Sequence, residues 1–179
     1  MIRVLYVATL AALLGATASA ADSKYTLSGK NTHVTFVGTK TNGKHTGGFK
    51  TLHGSATVSG NDLTTLKIEV EILTDSLYSD DAKLTGHLKS PDFFAVKDNP
   101  KASFKSTRVE KTASGYSITG DLTLLGKTKS VTFQATASAG DTLALSSEFS
   151  IDRNDWGMSY GKGKIDDKVA LKVVVKAGK

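Results

Sequence analysis

Four histidines are the side chains best suited to hold a metal ion or to act as a general base. A zinc site needs closely spaced ligands, such as two histidines about three to five residues apart. His45 and His53 are separated by the Gly47-Gly48 break, and His33 and His87 lie far from any other histidine. This spacing predicts no metal site, and we expect these histidines to lie on the surface or to form hydrogen bonds.

No nucleophile occurs in a catalytic pattern. The chain has no cysteine and no Gly-x-Ser-x-Gly elbow, the strained turn that exposes a serine nucleophile. The segment 161–164 (Gly-Lys-Gly-Lys) lacks the spacing of a phosphate loop and favours a flexible connection between strands. The acid pairs Asp80-Asp81 and Asp166-Asp167 are typical of turns and helix caps. We therefore predict that the protein is not an enzyme and needs no cofactor.

The first twenty residues have the pattern of a secretory signal peptide. Arg3 precedes an apolar run over residues 4–14, and the tripeptide 18–20 (Ala-Ser-Ala) is a small-x-small cleavage site. The run is too short to cross a bilayer, which needs roughly 20 residues. We expect cleavage after Ala20 and a periplasmic or secreted mature protein. An uncleaved membrane anchor is the alternative.

The mature chain, residues 21–179, is long enough for one domain with a sizeable core. Without Arg3 it holds 22 cationic and 17 acidic side chains, a net charge of +5. Nearly all the cations are scattered lysines, which is typical of a soluble surface with protected sheet edges. Because there is no arginine cluster and no ladder of aromatic residues, we predict no nucleic-acid partner.

Alternation with a period of two recurs along the mature chain and predicts an all-β fold. In residues 67–72, for example, Lys and Glu alternate with three apolar residues, and turn signals separate the alternating segments. We expect about eight antiparallel strands, joined mostly as hairpins. That number is typical of a closed barrel with room for one ligand.

Residues 80–90 interrupt the strand pattern. Two leucines four residues apart share one helical face, an aspartate at 80 or 81 can cap the first turn, and the step into Pro91 ends the helix. We predict a short helix here. Phe93 and Phe94 follow at once and form either a lid over the barrel or part of its ordinary core.

The inward positions of the strands are apolar, which suits both a packed core and a ligand cavity. The inward residues inferred from alternation are Val34, Phe36, Phe49, Ile68, Val70, Ile72, Phe104, Leu122, Leu124, Phe133, Leu145 and Phe149.

Five segments, in the correct order, resemble elements of the YceI-like family. They are residues 88–96 (LKSPDFFAV), 99–104 (NPKASF), 119–129 (TGDLTLLGKTK), 152–158 (DRNDWGM) and 165–169 (IDDKV). The chain departs from the family pattern at Asn99, where an aromatic residue is usual, and at Leu125, where histidine is frequent. Together these segments extend the resemblance over essentially the whole mature chain.

The resemblance implies a lipocalin-like antiparallel barrel with an apolar tunnel that holds a polyisoprenoid or a similar long amphiphile without covalent reaction. The aromatic residues expected to line or gate the tunnel are Phe93, Phe94 and Trp156. The candidates for binding a polar head group are Lys83, His87 and Arg153. Arg153 can instead form an ion pair with Asp152 or Asp155, and His87 can instead lie on the helix surface.

The function expected from this resemblance is carriage or storage of a lipid in the cell envelope. The ligand would be a polyisoprenoid, an isoprenoid quinone or a fatty-acid-like molecule. The alternative is an envelope stress or structural protein with a packed barrel and no ligand. We expect no transmembrane span in the mature chain, and the resemblance is compatible with a homodimer.

Overall fold

The structure, a computed structural model, describes residues 21–179, so the predicted signal peptide lies outside the described residues. The described chain is mostly strand, as predicted, with one α-helix, α1 (Ala82–Lys89), and three short 3-10 helices at Leu63–Thr65, Thr74–Ser76 and Arg153–Trp156. The strands are β1 (Asp22–Ser28), β2 (Thr32–Lys40), β3 (Gly43–Phe49), β4 (Leu52–Ser59), β5 (Lys67–Leu73), β6 (Leu77–Ser79), β7 (Lys101–Thr112), β8 (Gly115–Leu124), β9 (Lys127–Ser138), β10 (Thr142–Asp152) and β11 (Ile165–Gly178).

Eleven strands are present where about eight were predicted, because three long ribbons are each bent into two strands. β1 and β2 form the first ribbon, β3 and β4 the second, and β5 and β6 the third. β1 pairs with β4 and β2 pairs with β3, so the first two ribbons form one long bent hairpin. β4 pairs with β5 and β3 with β6, so the third ribbon continues the same arrangement.

The three bends lie side by side across the sheet. In the second and third ribbons, the Lys50 amide donates to the Ser76 carbonyl at 3.2 Å, and the Leu73 amide donates to the Thr51 carbonyl at 3.0 Å. In the first ribbon, a side chain at Gly29 would place its Cβ 2.1 Å from the Lys50 carbonyl oxygen. Only glycine fits this close approach of two backbones, which fixes where the hairpin bends.

The pairing runs around the molecule and returns to its starting ribbon. From β5 it continues through β7, β8, β9, β10 and β11, and β11 pairs with β2. The sheet is therefore curled into an antiparallel barrel. At the β9–β10 seam, two long strands share only three residue pairs, from Ala144 with Ser138 to Ser146 with Thr136.

One end of the barrel is filled by side chains. Tyr25, Leu27, Ile118 and Leu143 are at most 1% exposed there and belong to one continuous apolar cluster. A second, smaller cluster around Trp156 lies toward the other end. The interior is thus packed at one end, and the second end is where α1 and the segment after it cover the barrel.

The helix α1 begins and ends as the sequence predicts. The Asp81 carboxylate accepts a hydrogen bond from the Leu84 amide at 2.7 Å and caps the first turn. The helix ends at Ser90, just before Pro91. Residues 93–96 then fold back on the helix end, where the Phe94 amide donates to the Leu88 carbonyl at 3.0 Å. This arrangement carries both phenylalanines over the open end of the barrel.

Candidate ligand cavity

An apolar cavity of about 270 Å³ occupies the barrel end beneath α1. Its walls come from strands β2, β3, β5, β7, β8, β10 and β11, and its roof from α1 and residues 93–94. The lining residues are Val34, Phe36, Gly38, Thr39, Lys40, His45, Phe49, Ile72, Leu84, His87, Leu88, Phe93, Phe94, Ala102, Leu122, Leu124, Ile151, Arg153, Met158, Tyr160, Ile165, Val169 and Leu171. This set contains no carboxylate and no serine.

Aromatic rings connect the wall of the cavity to its roof. The Phe36 and Phe49 ring centroids are 6.3 Å apart, and the Phe49 and Phe94 centroids are 5.6 Å apart in an edge-to-face arrangement. Such contacts favour a defined packing of the rings. The roof is therefore attached to the wall by apolar contacts that a chain-like ligand could also make.

A second aromatic group lies at the mouth. The His87 ring stands edge-on to Phe93 at 5.1 Å and to Tyr160 at 4.8 Å, and the last two rings are 5.4 Å apart. Tyr160 is 46% exposed and is the one large hydrophobic residue of the described chain that is so open to solvent. Because Tyr160 also lines the cavity, its ring contacts both the apolar interior and the solvent.

Both histidines of the cavity are hydrogen-bonded to aspartates. His87 Nε2 lies 2.8 Å from Asp92 Oδ2, and His45 Nδ1 lies 3.0 Å from Asp80 Oδ1. The pKa of Asp80 is lowered, first by the hydrogen bond from the Thr46 amide and then by His45. Within residues 21–179 no group of three or more potential metal ligands is present.

Arg153 is buried and holds a loop together. Nε donates to the Asp166 carbonyl at 3.0 Å, Nη2 to the Ile165 carbonyl at 3.1 Å, and Nη1 to the Met158 and Tyr160 carbonyls at 2.5 and 2.8 Å. These bonds close the loop between β10 and β11. Arg153 forms an ion pair with Asp167, at 3.6 Å, and not with Asp152 or Asp155 as the sequence suggested.

The predicted lining residues fall into three groups. Those that line the cavity are Val34, Phe36, Phe49, Ile72, Phe93, Phe94, Leu122 and Leu124. Those that belong to the cluster at the filled end of the barrel, or pack against it, are Ile68, Phe104, Phe133, Leu145 and Phe149. Those beside the cavity, outside its lining, are Val70 and Trp156. Alternation identified the inward face of each strand and did not distinguish the hollow end from the filled end.

The three residues predicted to bind a head group do not form one site. His87 lines the mouth, Arg153 lines the cavity with its donors turned toward backbone carbonyls, and Lys83 lies on α1 outside the lining. Four lining residues with polar side chains escaped prediction, namely Thr39, Lys40, His45 and Tyr160. The alternation that placed Val34 and Phe36 inward continues through Gly38 to Lys40 and could have identified this lysine.

A curled antiparallel barrel with one packed end and one apolar cavity under a helix places the protein in the lipocalin-like class of barrels. Two solved structures share this fold. The crystal structure of Burkholderia cenocepacia BcnA is 24% identical and has a TM-score of 0.72, covering 82% of this chain and 96% of that one. A polyisoprenoid-binding domain from Saccharophagus degradans, implicated in plant cell wall breakdown, is 14% identical with a TM-score of 0.66, covering 87% and 97%.

The family follows from sequence comparison. The YceI-like domain model matches residues 25–177. A protein YceI of Salmonella arizonae is 31% identical over 180 residues, covering 93% of each chain. A UPF0312 protein of Pseudomonas putida (strain W619) is 35% identical over 141 residues, covering 74% of this chain and 73% of the relative. The chain belongs to the YceI-like family, which confirms the resemblance inferred from its motifs.

No helix within residues 21–179 has both the length and the apolar character that crossing a membrane requires.

Proposed function

We propose that the chain is an exported lipid-binding protein that holds a long-chain isoprenoid or a similar amphiphile in the cavity beneath α1. The observation that carries this proposal is the apolar cavity, with its aromatic roof and with few polar residues among those that line it. Ligand sites of this kind are mostly apolar with a few placed polar groups. The polyisoprenoid-binding domain from Saccharophagus degradans, which shares the fold, supports the same ligand class.

The length of the ligand follows from the energetics of burial. Each enclosed CH₂ contributes about 0.8 kcal/mol, while association and ordering cost about 4–15 kcal/mol. Roughly ten methylenes would therefore leave little net affinity, and tight binding needs a longer tail. The cavity, at about 270 Å³, lies just below the usual range of about 300–1,000 Å³ for ligand sites. A long tail must then project through the mouth or displace the roof, residues 93–94.

The proposal includes no catalytic step. The lining contains no carboxylate and no serine, and both of its histidines are already bonded to aspartates. A nucleophile with its base, converging on one point of the cavity, would be needed for catalysis of lipid hydrolysis. Activity assays with ester and phosphoester lipids should accordingly give no turnover above buffer.

Export is the second part of the proposal. Residues 1–20 have the sequence pattern of a signal peptide, and we expect the mature protein in the periplasm or the medium. Cell fractionation followed by N-terminal sequencing tests this directly. A mature chain that begins at Ala21 supports export, and an intact N-terminus in the cytoplasmic or membrane fraction contradicts it.

The ligand is tested by native mass spectrometry and solvent extraction of the purified mature protein. We expect a co-purified apolar molecule, or uptake of added polyprenyl phosphate or quinone. Gly38→Leu should block uptake, because Gly38 lines the cavity and nothing lies within 4 Å of the Cβ position there. Gly140→Leu is the matched control, since its Cβ position is equally unobstructed and lies outside the cavity. Absence of any bound or added lipid would contradict the proposal.

One observation favours a second candidate, a packed envelope stress or structural protein without ligand. The larger apolar cluster occupies one end of the barrel, and the cavity at the other end is small, at about 270 Å³. Under this alternative Gly38→Leu would raise the free energy of unfolding by filling an empty space, with no ligand to displace. The same mass-spectrometric experiment separates the two functions.

A further inference from the structure

The lining of the cavity contains basic side chains and no acidic one. The basic residues are Lys40, Arg153, His45 and His87. Four aspartates lie beside the lining, and each is paired with a lining residue: Asp80 with His45, Asp92 with His87, Asp166 with the Thr39 hydroxyl at 2.5 Å and Asp167 with Arg153 at 3.6 Å. Because these aspartates are already paired, the charge left over at the cavity is positive, which favours a ligand with a negative end.

Lys40 differs from the other cations of the lining because its charge has no partner. His45 and His87 are bonded to Asp80 and Asp92, and the Arg153 donors are taken by backbone carbonyls. Within residues 21–179, Lys40 forms neither an ion pair nor a side-chain hydrogen bond. Its ammonium group is therefore free to bind a ligand.

The position of Lys40 suits a head-group contact. It is the last residue of β2, on the inward row that runs from Val34 through Phe36 and Gly38, and it is solvent-exposed. It pairs with Gly43 across the hairpin and with Ile165 of β11, whose side chain also lines the cavity. A tail lying along this row would bring its polar end to Lys40 at the mouth.

We propose that Lys40 binds the anionic head group of the ligand, a carboxylate or phosphate, and so selects acidic amphiphiles over neutral ones of equal tail length. This inference rests on the proposed lipid-binding function and specifies its ligand. The lysine supplies a compact, flexible charge with three donors, which suits a carboxylate or phosphate presented at the water boundary. A neutral alcohol or amide head would leave that charge without a partner.

The experiment compares three probes by isothermal titration calorimetry: dodecanoic acid, dodecyl phosphate and dodecanol. The mature protein should bind both acidic probes more tightly than dodecanol, and added salt should weaken only the acidic probes. Lys40→Met should raise the dissociation constants of the acidic probes about tenfold, the effect of losing one charge-assisted hydrogen bond. The dissociation constant of dodecanol should stay unchanged.

The matched control is Lys44→Met, which removes the same charge from the same hairpin. Lys44 is exposed on β3 and does not line the cavity. Equal effects of the two substitutions would show a general surface attraction and overturn the role of Lys40. So would a Lys40→Met variant that weakens the acid and the alcohol alike, or a wild-type protein that binds dodecanol as tightly as dodecanoic acid.

Two further outcomes are distinguishable. Inorganic phosphate that displaces dodecanoic acid at similar concentration would indicate a site for a free anion, which overturns the head-group assignment. If none of the three probes binds, the comparison is repeated with octadecanoic acid, octadecyl phosphate and octadecanol, whose longer tails bury more apolar surface. If these also fail to bind, the lipid-binding function fails and the assignment of Lys40 fails with it. Far-UV circular dichroism of each variant checks that the barrel is intact, which we expect because both lysines are exposed.

Discussion

Replacing Arg153 tests whether this residue stabilises the fold or binds a ligand. Its side chain is 4% exposed, and it donates hydrogen bonds to two carbonyls of the loop between β10 and β11 and to two carbonyls at the start of β11. Arg153→Met keeps the length and apolar stem of the side chain but removes every donor. The four carbonyl groups would then have to find water or remain without a partner.

The magnitude follows from how deeply each bond is buried. The bond to the Met158 carbonyl is fully buried, and the other three are partly buried. An orphaned buried acceptor costs about 1–3 kcal/mol, and each partly buried bond contributes about 0.5–1.5 kcal/mol net. Together we expect Arg153→Met to lower the free energy of unfolding by about 3–5 kcal/mol. For a chain of this length that corresponds to a melting temperature lower by roughly 6–20 °C.

Urea denaturation followed by the fluorescence of Trp156, the single tryptophan, measures this loss. Arg108→Met is the matched control: Arg108 is exposed and pairs with Glu110 at 2.7 Å. We expect its substitution to change the free energy of unfolding by less than about 0.5 kcal/mol. A loss below about 1 kcal/mol for Arg153→Met, together with weakened lipid binding, would refute the structural role and favour the head-group role.

Three further predictions follow from the packing, the pairing and the surface charges. Leu143→Ala, at the filled end, should lower the free energy of unfolding by about 3–5 kcal/mol. Leu171→Ala, which removes a side chain that lines the cavity, should lower it by only about 1–2 kcal/mol. Equal losses in urea denaturation would contradict a hollow end. In hydrogen exchange, roughly every second amide over residues 127–135 should exchange quickly, because the ladder between β9 and β10 covers only residues 136–138 and the earlier part of β9 is laddered to β8 alone. Uniform protection of these amides would contradict the open seam. The free energy of unfolding should fall as the pH drops below about 5. Several carboxyl groups have pKa values lowered by folding, so their ionised form stabilises the native state and protonation removes that stabilisation. A melting temperature that stays constant between about pH 5 and 3 would contradict this. The carboxyl groups concerned are Asp62, Glu69, Glu71, Asp80, Glu148 and Asp152.

Strand positions, faces and the helix could be read from the sequence because they depend on local patterns. Alternation of polar and apolar residues sets the inward face of a strand wherever that face is buried. Asp81 and Pro91 mark the ends of α1 in the same local way. The strand number was less accurate, because a bend in a long ribbon depends on contacts such as the one between Gly29 and Lys50, which are distant in sequence.

The candidate site was only partly predictable because depth along the barrel axis has no periodic signal. Phe36 and Phe133 have the same character and the same inward orientation, yet one lines the cavity and the other lies in the filled end. The role of Arg153 was equally hidden, since its partners are main-chain carbonyls that no side-chain motif records. Tyr160 lies in a segment without alternation and reaches the mouth only because that loop is folded back.

The division of the barrel into two ends also explains how stability and binding can be separated in one small domain. At the filled end, large side chains such as Tyr25, Ile118 and Leu143 are at most 1% exposed and belong to one cluster, which supplies the apolar core that a domain without disulfides needs. At the other end, Gly38 and Ala102 occupy inward positions and leave space between the walls. Substitutions that enlarge residues at this second end should therefore change what the cavity admits while leaving the packed end, and most of the stability, intact.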